Sequence, residues 1–331
     1  MAFGAPGRNS PIYIATMGNK YGNPKGDLIR IDKRTMYLMD RKIDEEKGAA
    51  NMGGYLAAQP KQNIMITTEL GDPNWLFAPL MHGQGQINGH VDDDVTDVDV
   101  TDADAIDVDV TDVNDTDVDV KDDYISNDTL LSGNYHADKV AQFSTAHVEG
   151  WIKDEMPAMP VDMVISMDDR FLYVTCWMHG FIAQFNISDP FRPSLCSKLF
   201  LGGAIHKCYG VRLQRIASTN FLPERPLVRN TIFEGGPSKM QLSLDGRRLY
   251  VTNSLNRQLD EKFFPNLTKN GSIIALIHVN TNLSGGMELD ENFVIRMADM
   301  NDGPYLAREM RFLNGDSTCD AFLENTANNS F

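Results

Sequence analysis

Along most of this chain apolar and polar residues alternate in short runs, and the runs end at Gly, Pro, Asn or Asp. Period-two alternation bounded by turn residues predicts β-strands rather than helices. The pattern also recurs. Pro160-Val-Asp-Met163-Val-Ile-Ser166-Met-Asp168-Asp-Arg170-Phe-Leu172-Tyr173-Val174-Thr175 aligns with Pro237-Ser-Lys-Met240-Gln-Leu-Ser243-Leu-Asp245-Gly-Arg247-Arg-Leu249-Tyr250-Val251-Thr252 at a constant offset of 77 residues. The unit predicts a strand ending at Ser, a tight Asp-Asp or Asp-Gly turn, and a strand rich in β-branched and aromatic residues.

Weaker copies of that second strand stand at Pro11-Ile12-Tyr13-Ile14-Ala15 and Asn63-Ile64-Met65-Ile66-Thr67. Three copies are followed by a glycine and a further apolar run, at Gly26-Asp-Leu28, Gly180-Phe-Ile182 and Gly271-Ser-Ile273. Strand, loop, Gly, strand, turn is the pattern of antiparallel four-stranded blades, so the predicted fold is an all-β propeller. A two-sheet sandwich is the alternative, and it leaves the repeated sheet unit unexplained.

Residues 92–123 break the pattern with an imperfect five-residue repeat, as in Val95-Thr-Asp-Val-Asp99 and Val100-Thr-Asp-Ala-Asp104. Like charges two apart share a strand face and repel, and few large apolar residues offset the cost of ordering. This acidic low-complexity segment is expected to be disordered. Calcium binding is the sharper alternative, but the tract lacks both the turn glycine and the Glu of an EF-hand loop. A cation-buffering role would rest on this tract alone.

That tract also accounts for the charge. The chain of 331 residues carries a formal charge of −16, yet residues 92–123 hold fifteen Asp against one Lys and leave the remainder nearly neutral. No basic stripe is present, which argues against nucleic-acid binding. Cys176, Cys196, Cys208 and Cys319 are widely spaced, with no CxxC or zinc-type grouping, so single thiols in a reducing compartment are expected. No apolar run is long enough for a membrane span and the first residues lack a signal-peptide core, so the expected location is cytoplasmic.

From Gly150 onward the sequence resembles the selenium-binding protein, or methanethiol oxidase, family. The resemblance is carried by Gly150-Trp151, Glu155-Met156-Pro157, Trp177-Met-His179-Gly180, Asn186-Ile-Ser188-Asp189-Pro190, Leu199-Phe-Leu-Gly202-Gly203, Gly235-Gly236-Pro237, Phe264-Pro265 and Glu309-Met-Arg311. An N-terminal stretch is similar too, through Gly22-Asn23, Lys25-Gly26, Gln59-Pro60, Thr68-Glu69 and Pro73-Asn74. The resemblance implies a seven-bladed propeller, here with about four recognisable blades. It divides the chain into partial blades at 1–75, a divergent segment at 76–149 containing the acidic repeat, further blades at 150–323 and a tail at 324–331.

The implied activity is copper-dependent oxidation of methanethiol by oxygen and water to formaldehyde, hydrogen sulfide and hydrogen peroxide. The family's paired Cys motifs, its His-His-containing motif and the Cys assigned to selenium have no match here, and Arg308 stands where the family has a histidine. Selenium therefore has no matched Cys. The resemblance leaves His179 as the candidate copper ligand and His206 as a weaker one, since imidazole suits copper. A hydrogen-bonded structural role for His179 is an equal alternative.

Four further features are weighed beside these. His82 and His90 flank a glycine-rich segment, and His278 is expected to face solvent from a strand. Glu309 and Arg311 are a candidate ion pair. Met156, Met159, Met163 and Met167 are read as core packing rather than a Cu(I) site. Gly202-Gly203 and Gly235-Gly236 are not followed by a helix signal and are not read as phosphate loops. The expected partner is a small thiol, with methanethiol as the substrate. The rival reading is a catalytically inactive propeller fragment that binds selenium or a protein.

Overall fold

The computed structural model describes residues 2–4, 12–15, 21, 28–32, 34–41, 53–59, 64–69, 140–151, 154–205, 211–216 and 223–310. The acidic repeat at 92–123 and the tail at 324–331 lie outside the described residues. The architecture is nearly all β, as expected. Strands β1 (Ala2–Gly4), β2 (Ile12–Ala15), β3 (Leu28–Ile31) and β4 (Leu38–Arg41) form an antiparallel sheet in chain order. β5 (Gly53–Gln59) and β6 (Ile64–Glu69) form a hairpin, and β7 (Ala146–Glu149) pairs with β8 (Glu155–Met156). β9 (Pro160–Ile165), β10 (Phe171–Cys176), β11 (Phe181–Asn186) and β12 (Ser194–Phe200) form a second four-stranded sheet.

β13 (Arg212–Ile216) returns to pair with β7, and β14 (Leu227–Val228) and β15 (Thr231–Ile232) make a short hairpin. The last four-stranded sheet is β16 (Met240–Leu242), β17 (Arg248–Thr252), β18 (Ile273–Val279) and β19 (Met287–Arg296). These are propeller-like blades, three of them four-stranded, and among the described residues no strand pair joins the first sheet to the last. Two short helices, α1 (Arg257–Phe263) and α2 (Pro265–Asn270), lie between β17 and β18. The strand pattern does not foresee them, although Asn256 caps α1 by accepting from the Leu259 N–H and Pro265 opens α2, both ordinary start signals. Among the described residues no helix is long and apolar enough to cross a membrane.

The sequence repeat is a repeat of register. Leu172, Tyr173 and Val174 pair with Ile165, Val164 and Met163, and Leu249, Tyr250 and Val251 pair with Leu242, Gln241 and Met240. The connecting turns are built alike. The Ser166 hydroxyl donates to Asp168 and accepts from the Phe171 N–H, while Asp168 accepts from the Arg170 N–H. Ser243 and Asp245 do the same for Arg248 and Arg247. Asp169 takes φ +61° at the position where the later copy has Gly246 at +71°. Asp tolerates this left-handed geometry better than most side chains.

Alternation along β10 sends its two faces into two cores. Phe171 and Tyr173 pack with Met240, Leu242, Leu249 and Val251 of the last sheet. Leu172, Val174 and Cys176 pack with Phe181 and Phe185 and against Ala57 and Ile66 of the β5–β6 hairpin. A strand buried on both faces has no room for charge, which makes the junction at the strand starts notable. Asp162 on β9 and Lys239, the residue before β16, occupy equivalent repeat positions, and their side chains meet at 2.8 Å with both almost fully buried. The second Asp162 oxygen accepts from the Met240 N–H at 2.8 Å. The Lys239 ammonium also lies 3.5 Å from the Tyr55 ring centroid on β5, a cation–π contact. One pair thus ties three β units together. Burial pushes the Asp162 carboxyl upward, and the charge of Lys239 pulls it back.

The repeated threonine works in the same direction. Thr175 donates to the Ser238 carbonyl of the next unit at 3.0 Å, and Thr252 donates to the Arg308 carbonyl at 2.9 Å. Removing one member of a buried pair strands the other charge, at a cost of about 3–5 kcal/mol. Lys239→Met is therefore expected to lose about that much stability in urea unfolding. The double variant Asp162→Asn/Lys239→Met, which keeps an acceptor for Met240, is expected to recover more than half of the loss. A double variant no better than the single one would show that the pair does not act as a pair.

Candidate functional site

The turn Trp177–Gly180 between β10 and β11 carries His179, and backbone holds it on several sides. The N–H groups of Trp177 and Met178 donate to the carbonyls of Met159 and Ala158 at 2.9 and 3.1 Å. Leu201 N–H donates to the Gly180 carbonyl at 2.8 Å, and Ala204 N–H to the Met178 carbonyl at 2.7 Å. The diglycines make this packing possible. A Cβ on Gly236 would stand 1.7 Å from the Trp177 carbonyl oxygen, and one on Gly180 would stand 1.9 Å from that of Gly202. Both glycine pairs serve close backbone approach.

His179 is 1% exposed, and its Nε2 lies 2.9 Å from the Met156 carbonyl oxygen. A carbonyl only accepts, so the proton sits on Nε2 and donates to it. Burial lowers the imidazole pKa to about 4, opposed by the bond to Met156 and aided by the nearby Lys198 charge. Lys198, on β12, holds its ammonium 4.2 Å from the Phe181 ring centroid. Burial lowers the Lys198 pKa, while the neighbouring Cys176 thiol acts to raise it.

The other candidates disperse. His206 lies outside the described residues, although Ile205 before it packs in the same cluster as Trp177 and Met178. His82, His90, Cys208, Cys319 and Arg311 are also outside them, so the Glu309–Arg311 pair is not described. His278 is exposed and sits 3.0 Å from Asp290. His147 on β7 stands 3.7 Å from Glu155. Met156 and Met159 pack in one cluster, Met163 in another, and Met167 is 41% exposed, so the four methionines do not converge. Cys176 is buried and Cys196 part-buried, and neither forms a disulfide. Among the described residues no group of three His, Cys, Asp or Glu could hold a metal ion. One imidazole already engaged by a backbone carbonyl does not fit a copper centre, for which several nitrogen or sulfur donors must converge.

Sequence reasoning missed three side chains that the structure makes conspicuous: Lys198, Lys239 and Lys262. Lys239 had a signal, since it opposes Asp162 in an otherwise similar repeat. Lys198 and Lys262 had none, because their surroundings come from distant elements.

Two outcomes follow. A folded-state pKa near 4 against an ordinary 6.5 means the unfolded chain binds the extra proton. Stability tied to His179 is therefore complete above pH 6.5 and falls as pH drops toward 4, by roughly 3 kcal/mol. NMR titration of the imidazole should show no midpoint between pH 5 and 8; one near 6.5 would mean the ring is not sealed. Gly236→Ala is expected to displace the turn and destabilise the fold by more than about 2 kcal/mol in urea unfolding. A near-neutral result would contradict the backbone contact.

The pattern of the 56kDa selenium binding protein (SBP56) family matches residues 124–323. A putative selenium-binding protein of Caenorhabditis briggsae is 34% identical over 96% of this chain and 66% of its own length. The Bos taurus methanethiol oxidase is 34% identical over 94% of this chain and 69% of its own length. This chain thus spans just under two thirds of the nematode relative. A solved hypothetical selenium-binding protein from Sulfolobus tokodaii is similar at 18% identity and TM-score 0.44, over 86% of this chain and 64% of that one. On the family pattern and the identity to these relatives, the chain belongs to the selenium-binding protein family.

Proposed function

We propose that this chain acts as an oxidoreductase on a small thiol of the methanethiol class. The observation that carries the reading is its 34% identity, over 94% of its residues, to a relative named methanethiol oxidase. The overall reaction takes one methanethiol, one oxygen and one water to one formaldehyde, one hydrogen sulfide and one hydrogen peroxide. The carbon is oxidised by two electrons, oxygen is reduced by two, and the carbon–sulfur bond is cleaved by water. Copper, when bound in such an oxidase, supplies the redox couple and an affinity for sulfur. The described residues lack the donor set for it. Their contribution is a buried turn: the glycine-seated backbone holds a neutral His179 away from solvent.

A second reading, a binding module without turnover, is favoured by the engagement of His179 with Met156 and by the absence of a metal-holding cluster among the described residues. One assay separates the two. Purified, size-fractionated chain reconstituted with copper under reducing conditions is given methanethiol in a sealed vessel. Equal amounts of hydrogen sulfide and hydrogen peroxide are expected if the chain turns methanethiol over. A folded, monodisperse protein that consumes no methanethiol would remove the oxidase reading in favour of the binding module.

A further inference from the structure

The outer edges of the three four-stranded sheets are not alike. β19, last in its sheet, exposes Glu288, Glu291, Asn292 and Arg296 beside one large apolar residue, Ile295. On β12 only Ser194 is exposed. Charged or covered edges of this kind block pairing with another chain. β4 is outermost in its sheet and pairs with β3 alone among the described residues. Its charged residues, Asp40 and Arg41, come only at its far end. The run Met36-Tyr37-Leu38-Met39 that leads into it stands in solvent, at exposures of 64%, 76%, 54% and 50%. Apolar residues exposed singly need no explanation, but four in sequence on a free edge do.

The turn before β4 presents this run outward. Asp32 accepts from the Arg34 and Thr35 N–H groups at 2.9 and 2.7 Å, and its own N–H donates to the Tyr37 carbonyl at 2.9 Å. Since the Tyr37 carbonyl is directed at β3, the alternation of an antiparallel strand turns the N–H and C=O of Leu38 to the free side. Met36 holds φ +58°, a left-handed position that glycine fills at less cost. With its side chain mostly in solvent, the fold gains little from a methionine there.

We propose that β4 is a dimerisation edge, pairing antiparallel with β4 of a second copy of this chain across a two-fold axis at Leu38. The edge is its own complement. The two Leu38 residues exchange backbone hydrogen bonds, and Tyr37 of each copy comes beside Met39 of the other, giving two sulfur–aromatic contacts. The bulge that sets Met39 against β3 keeps the paired stretch short. Burying the four side chains removes roughly 500 Å² per copy, or about 1,000 Å² in all, the lower bound for a specific interface. That area fits a weak, reversible dimer. An unrelated extended strand would meet the same edge without the reciprocal contacts.

Sedimentation velocity of the full chain over about 1–100 μM is expected to show a reversible monomer–dimer equilibrium. Tyr37 is mostly in solvent, so Tyr37→Lys should fold, and a lysine on this edge is expected to weaken association at least about tenfold. The register is read separately by cross-linking with a short bismaleimide, against the wild-type chain as background. Leu38→Cys, on the axis, is expected to cross-link between copies. Arg34→Cys, four residues from the axis and so more than about 20 Å from its mate, is not. A chain that stays monomeric at every concentration would overturn the proposal. So would a dimer that Tyr37→Lys leaves unchanged, or one in which Arg34→Cys cross-links as well as Leu38→Cys.

Discussion

The Asp162 carboxylate is the junction on which the described architecture depends. It faces the Lys239 ammonium with one oxygen and the Met240 backbone N–H with the other, while Lys239 also covers Tyr55. Sheets that pack face to face through apolar side chains are free to slide, because dispersion and burial are not directional. A buried ion pair with a backbone hydrogen bond is directional. It sets where β9 stands relative to β16 and relative to the β5–β6 hairpin, and the large cores between them then fill with Phe171, Tyr173, Leu249 and Val251 on one side and Val174, Phe181 and Phe185 on the other. Whether such a pair adds net stability is a separate matter, since desolvation offsets much of its attraction. Its clearer role is to fix geometry.

Fixed sheets allow the turn at Trp177–Gly180 to be seated against backbone rather than side chains. Gly236 lies so close to the Trp177 carbonyl, and Gly180 so close to Gly202, that no Cβ is accommodated. This seating decides the chemistry of His179. The ring is directed at the Met156 carbonyl, in a place too dry to carry charge. A histidine in that state is a neutral hydrogen-bond donor, unsuited to shuttle protons near neutral pH.

Much of the fold was legible in the sequence because its signals are local. The Leu-Tyr-Val-Thr runs became β10 and β17 with equivalent register, and the Ser-x-Asp turns formed in both copies from residues within five positions of one another. The glycine pairs stood out in the sequence, but their partners, the backbones of residues 177 and 180, are remote in sequence. The candidate site was less legible. His179 could be placed at a strand end, yet ligand and wall residue differ only in which way the ring faces, and a carbonyl some twenty residues earlier decides that. Helices α1 and α2 escaped the strand pattern because each is shorter than the window over which helical period shows.

α1 has consequences beyond its size. It brings Phe263 against both Trp151 and Trp177 and places the Lys262 ammonium 4.5 Å from the Phe263 ring centroid. Helix formation alone does not require this, since a lysine near a helix C-terminus gains as much from the helix dipole when it reaches into water. Packing alone does not require it either: a Met or Leu at 262 would cover the same aromatic surface without a buried charge. A cation at that place is a local inconsistency that neither helix formation nor packing accounts for. Trp177, whose buried side chain lacks an acceptor among the described residues, stands two residues from His179 on the same backbone-locked turn. Its indole N–H is therefore held in place by the same backbone contacts that fix His179.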